Sequence, residues 1–114
     1  MSLPAAYLYL LLAIIGEVVA TSALKASDGF TETIPSTLVV VGYGVAFYFL
    51  SLTLKTLPLG ITYAVWSGVG IVAVSIFGWL YYKQPLDFAA ITGMGMILAG
   101  VLVIHLFSKS ATIH

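Results

Sequence analysis

The chain has 114 residues, of which 61% are hydrophobic and only 7% charged, far below the roughly 25% charge of a water-soluble domain; with a mean hydropathy of +1.15 it reads as a membrane protein. Net charge is zero, arginine is absent and the four lysines are dispersed, which excludes a nucleic-acid footprint and a polybasic lipid patch. Cysteine is also absent, so disulfides and thiolate metal sites are excluded, and no cofactor is expected.

Four apolar runs separated by short polar joints predict an all-α membrane protein, a single four-helix domain over residues 1–114 with spans near 3–26, 34–54, 58–82 and 87–107. The first run, about twenty residues, suffices at ~1.5 Å per residue to cross a hydrocarbon core of about 30 Å. Met1-Ser2-Leu3-Pro4 lacks a basic n-region and an acid interrupts the run, so it is read as a span and not as a cleaved leader. It ends in Lys25-Ala26-Ser27-Asp28-Gly29, a lysine in the last turn followed by a glycine stop. Pro35 and Pro58 sit where the second and third spans begin, and Asp87 is placed to cap the fourth. Tyr7 and Tyr9 at one end, and Trp79, Tyr81 and Tyr82 before the third joint, fit interfacial aromatic belts; the tail from Ser108 to His114 is polar. Such short joints leave no room for a soluble domain, so any chemistry belongs inside the bundle. Four spans enclose little by themselves, which points to an oligomer. Gly42 and Ala46, Gly95 and Ala99, and Gly93 and Gly100 offer small residues for close helix contact.

Glu17 is the one ionisable group between the N-terminus and Lys25 apart from tyrosine, and it falls near the midplane of the first span. An intramembrane acid is retained mainly where it faces a bundle interior or wet cavity and handles ions or protons. A hydrogen-bonded packing role and a permanent ion pair are the alternatives. Lys25, Lys55, Lys83 and Lys109 all lie at the ends of the runs, so the missing counter-charge is a proton or a cationic ligand. Ala13, Ile14, Ala20 and Thr21 are the helical neighbours of Glu17; for Ala13 and Ala20, plain helix packing serves equally well. In the third run Tyr63, Trp66, Ser67 and Gly70 recur at helical spacing, and aromatic faces attract organic cations by roughly 0.5–2 kcal/mol. In the second, Tyr43 and Phe47 share a face, and a phenol inside the membrane needs a partner. Gly68-Val69-Gly70 follows no strand and reads as a helix kink, not a phosphate loop. His105 and His114 are isolated, and no nucleophile, base and acid stand in an arrangement for hydrolysis, so an enzyme is not expected.

With these residues in view, the sequence resembles the small multidrug resistance family, and within it the multidrug-exporting branch. The resemblance runs over nearly the whole chain and is carried by Gly16-Glu17-Val18, Ser27-Asp28-Gly29-Phe30, the segment from Pro58 to Gly70 and, more weakly, Gly93 to Val101. It implies a bacterial inner-membrane protein working as an antiparallel homodimer of four-helix protomers, in which protons and hydrophobic cations such as quaternary ammonium compounds compete for the first-span glutamate. Carried over, Glu17 is the proton and substrate site. Tyr63, Trp66 and Ser67 match its third-span partners. Tyr7, Ala13, Ile14, Thr21, Tyr43 and Phe47 match other substrate-binding positions. Gly68 and Gly70 match the kink, and Gly93, Ile97 and Gly100 the fourth-span dimer contact. Ala20 stands where many drug exporters have glycine and where the guanidinium-exporting branch usually has tryptophan; with Tyr43, it points to the multidrug branch. A guanidinium or polyamine exporter is the alternative within transport. A non-transporting subunit, flippase-like or an assembly factor, is the alternative outside it, and such a subunit has no need of a midspan acid.

Lysine placement bears on orientation. With four spans, Lys55 and Lys109 fall on one side of the membrane and Lys25 and Lys83 on the other. Orientation follows the lysine and arginine excess in short loops, so a tie predicts insertion both ways.

Overall fold

The computed structural model describes residues 3–108. Lys109, counted above for orientation, and His114 lie outside the described residues. Four helices fill almost all of that stretch: α1 (Leu3–Ala26), α2 (Thr33–Thr53), α3 (Leu59–Leu80) and α4 (Phe88–Phe107). All four are long and apolar enough to cross a membrane. Against the expected limits, α3 stops at Leu80, and Tyr81 and Tyr82 leave the helix to pack their rings on Phe77, with centroids 5.1 and 5.8 Å away. That cluster makes an aromatic collar where the third span ends.

The helices form two units, one up to Thr56 and one from Leu57. In the first, α1 and α2 make an antiparallel hairpin. Its turn is compact because Ser27 closes it from both sides. The Ser27 carbonyl accepts from the backbone N–H groups of Thr31 (2.9 Å) and Glu32 (3.0 Å), while its hydroxyl donates to the Leu24 carbonyl (2.6 Å). Asp28, Gly29 and Phe30 all take left-handed φ, at 48°, 69° and 67°. Glycine is at ease there, whereas the other two carry a cost of about 1 kcal/mol each.

Glycine also decides how closely the hairpin packs. A Cβ on Gly16 would stand 2.9 Å from the Gly42 carbonyl oxygen and 3.2 Å from the Ala46 nitrogen. One on Gly42 would stand 2.9 Å from the Gly16 oxygen and 2.8 Å from the Ala20 Cβ. The two backbones therefore touch, as small residues permit in membrane helices. Gly42 and Ala46, expected to serve close helix contact, make it here between α1 and α2 of one chain. Further along, the Tyr9 ring stacks on Phe49 with centroids 5.8 Å apart.

In the second unit α3 starts after Pro58, whose carbonyl accepts from the Thr62 N–H at 2.9 Å. Asp87 caps α4 as expected, its carboxylate accepting from the Ala90 N–H at 2.8 Å, a contact worth about 1 kcal/mol in helices generally. Between these helices Lys83 takes φ 58°, and the Gln84 side chain lies over Gly78.

Candidate functional site

Glu17 falls in the middle third of α1, well away from either end. A carboxylate there, four residues before a threonine, meets it on the same face of the helix. The Thr21 hydroxyl donates to Glu17 Oε1 at 3.1 Å. It also lies 2.6 Å from the Tyr43 hydroxyl on α2, which gives that phenol the partner its position demands. The second carboxylate oxygen, Oε2, is enclosed and has no hydrogen-bond partner. A buried acceptor left open is costly unless it receives a proton or a positive charge. This half-satisfied carboxylate therefore has one oxygen held by the protein and one open to a positive charge.

The remaining candidates on the hairpin fall into two groups. Ala13 and Ala20 are fully buried, and Ile14 is 6% exposed. Ala20 is spent on packing, since its Cβ is what a side chain on Gly42 would meet. Phe47 is open and stacks on Tyr43, centroids 6.3 Å apart; Tyr7 is half-buried. Glu17, Thr21, Tyr43 and Phe47 thus form one continuous patch.

On α3 the aromatic pair is real. The Tyr63 and Trp66 rings tilt against each other with centroids 5.6 Å apart, Tyr63 exposed and Trp66 half-buried, and Ser67 is half-buried beside them in sequence. The helix continues without interruption through Gly68 and Gly70. Gly68 faces α4, where an added Cβ would come 2.7 Å from Val101 Cγ2 and 3.1 Å from Ile97 Cγ2. Ile97 therefore packs partly within its own chain, whereas Cβ atoms on Gly93 and Gly100 would meet nothing within 4 Å. A cavity of about 360 Å³ farther along, between Val72, Ile76 and Trp79 of α3 and Ile91, Gly95 and Leu98 of α4, is lined by none of the candidate residues and suits hydrocarbon, not a cation.

Sequence reasoning left out Gly16 as a partner of Gly42. The signal was available, as Gly16 with Ala20 and Gly42 with Ala46 each repeat a small residue at four-residue spacing.

Fold and site together define a small multi-pass membrane protein of four spanning helices with a hydroxyl-bonded acid inside the first. Residues 5–97 match the family described as Small Multidrug Resistance protein. The chain is 54% identical over 105 residues to the quaternary ammonium compound-resistance protein QacE of Escherichia coli, covering 92% of this chain and 96% of that one. It is 57% identical over 103 residues to the corresponding protein QacF of Klebsiella aerogenes, covering 90% and 94%. With the multidrug transporter EmrE of Escherichia coli K12 it shares 48% identity over 104 residues, covering 91% and 94%. The chain belongs to the small multidrug resistance family.

Proposed function

We propose that the protein is a proton-coupled antiporter of the bacterial inner membrane that expels hydrophobic organic cations, quaternary ammonium compounds among them, with proton and cation competing for Glu17. The observation that carries this reading is the divided state of the carboxylate, Oε1 bonded to Thr21 and Oε2 enclosed with no partner. Relatives whose names specify quaternary ammonium resistance and multidrug transport support the substrate class. In this reading Tyr63, Trp66 and Ser67 supply aromatic and hydroxyl contacts to the cation, Tyr7, Ala13, Ile14, Thr21, Tyr43 and Phe47 shape its surroundings, and Gly68 and Gly70 let α3 bend. The working unit is an antiparallel homodimer, joined in part through Gly93, Ile97 and Gly100.

Competition fixes the sign of the pH dependence. Acidification places a proton on Glu17 and displaces the cation, so affinity for tetraphenylphosphonium falls as pH drops and levels off once the carboxylate is fully ionised. Glu17→Gln keeps the volume and removes the charge. It is expected to abolish cation binding and export while the dimer still assembles. Full resistance to ethidium and to a quaternary ammonium biocide in exporter-deficient cells carrying Glu17→Gln would refute the assignment. Guanidinium tested in parallel separates the two branches, since resistance to it alone marks the other one.

A further inference from the structure

We propose that Thr21 is a positioning residue that relays the protonation state of Glu17 on α1 to the Tyr43 hydroxyl on α2, through a hydrogen-bond chain whose direction reverses when the acid takes up a proton. The proposal rests on the reading of Glu17 as the proton and cation site, and adds how the neighbouring helix senses which of the two is bound.

Thr21 directs its hydroxyl differently from Thr37 and Thr53, which also lie in helices. A threonine inside a helix commonly turns its hydroxyl back onto a carbonyl one turn earlier. Thr37 and Thr53 do so, at 2.8 Å to the Thr33 carbonyl and 2.9 Å to the Phe49 carbonyl. Thr21 instead directs Oγ1 to two side chains, Glu17 at 3.1 Å and Tyr43 at 2.6 Å.

One hydroxyl carries one hydrogen, and that fixes the order of donors. An ionised carboxylate only accepts. Thr21 must then donate to Glu17, and Tyr43 must donate to Thr21, so both hydrogens are aimed towards the negative charge. When the acid is protonated, the relay places the proton on Oε1, the oxygen already in contact with the Thr21 hydroxyl. Glu17 then donates to Thr21, Thr21 donates to Tyr43, and the Tyr43 hydrogen is released to point elsewhere. Among the described residues, Glu17 and Tyr43 are the ionisable groups that these two hydrogen bonds join. On α1, Tyr7, Tyr9 and Lys25 lie more than two turns from Glu17; on α2, the other titratable side chain is Tyr48, exposed and set against Phe49.

The test measures tetraphenylphosphonium binding to the purified full-length protein as a function of pH. Thr21→Val keeps the shape and removes the hydroxyl. With a donor to the carboxylate gone, the pH of half-maximal binding should rise by about half a unit or more, roughly a threefold tighter competing proton. Thr21→Ser should restore the wild-type midpoint. Tyr43→Phe should move it in the same direction by a smaller amount, and should add nothing in the Thr21→Val background. An unmoved midpoint in Thr21→Val, or additive shifts in the double variant, would overturn the relay. A second measurement leaves Thr21 in place. The infrared C–O band of isotope-labelled Tyr43 should shift between acid and alkaline pH as the phenol changes from acceptor to donor, and a constant band overturns the proposal. A wild-type protein whose affinity ignores pH would overturn both the relay and the assignment of Glu17, whereas a pH-dependent wild type with an unmoved Thr21→Val overturns the relay alone.

Discussion

Trp66 and Tyr63 stand three residues apart on α3 with ring centres 5.6 Å apart, so the tryptophan sets its indole face near a second aromatic ring. If that face meets a delocalised cation, Trp66→Ala should weaken tetraphenylphosphonium binding by about 1–2 kcal/mol, and Trp66→Phe by less, because a smaller ring retains part of the attraction. Equal losses in both, with lower yield of folded protein, would assign the residue to packing. Glu17→Asp is a sharper probe at the same scale. Its shorter side chain draws the carboxylate back from Thr21 and lengthens the 3.1 Å bond, so it should bind cations with an altered pH profile and not lose them altogether. Titration of binding from acid to alkaline pH checks this.

Between α1 and α2 the decisive residues are the smallest. A methyl group at Gly16 would press on the Gly42 carbonyl and the Ala46 backbone, and neither can rotate away. Gly16→Ala and Gly42→Ala should therefore each destabilise the hairpin by about 1–3 kcal/mol, as overpacking of a tight contact does. Gly44→Ala, with nothing within 4 Å of the added carbon, should be neutral. Thermal unfolding in detergent of the three variants decides this. Gly93→Val and Gly100→Val add bulk where the protomer has room, so they should spare the chain's own fold; if these glycines meet a second copy, as proposed, association should weaken, read by cross-linking or by mass in detergent.

These element-scale contacts also show where sequence reasoning stops. The four helices were legible, since length and hydropathy alone demand them, and so was Asp87 as a cap. Glu17 stood out as a charge in oil, and its bond to Thr21 follows from four-residue spacing on one helix. The contact of Thr21 with Tyr43, and of Gly16 with Gly42, depends on the register between two helices. A sequence encodes register only through the joint fit of many small surfaces, and glycine in a membrane helix serves kinks, contacts within a chain and contacts between chains equally well. Hence Gly42 and Ala46 mark a close helix contact in the sequence, and only the structure shows that α1 supplies its other side.

At the scale of the whole molecule the lysines bear on orientation in the membrane. Lys83 occupies a left-handed position at φ 58° that asparagine or glycine fills with less strain. Replacing it should leave the joint intact while tipping the lysine count to one against two. Lys83→Asn is thus expected to favour insertion with the C-terminus in the cytoplasm, and to reduce export if the active dimer needs opposed copies. Reporter fusions at the C-terminus, active on either side of the membrane, measure the bias. An even distribution that Lys83→Asn leaves unchanged would remove the charge-balance argument. The bond from Thr21 to Glu17 also bears on biogenesis. Because both residues belong to α1, the acid has its hydroxyl partner as soon as that helix coils, before α2 has been synthesised. An acid at the centre of a nascent span adds about 2.5–3.5 kcal/mol to its transfer from translocon to lipid. A donor carried one turn away offsets part of that cost on entry, and Tyr43 joins only when the second span arrives, so the site is assembled in the order in which the ribosome delivers it.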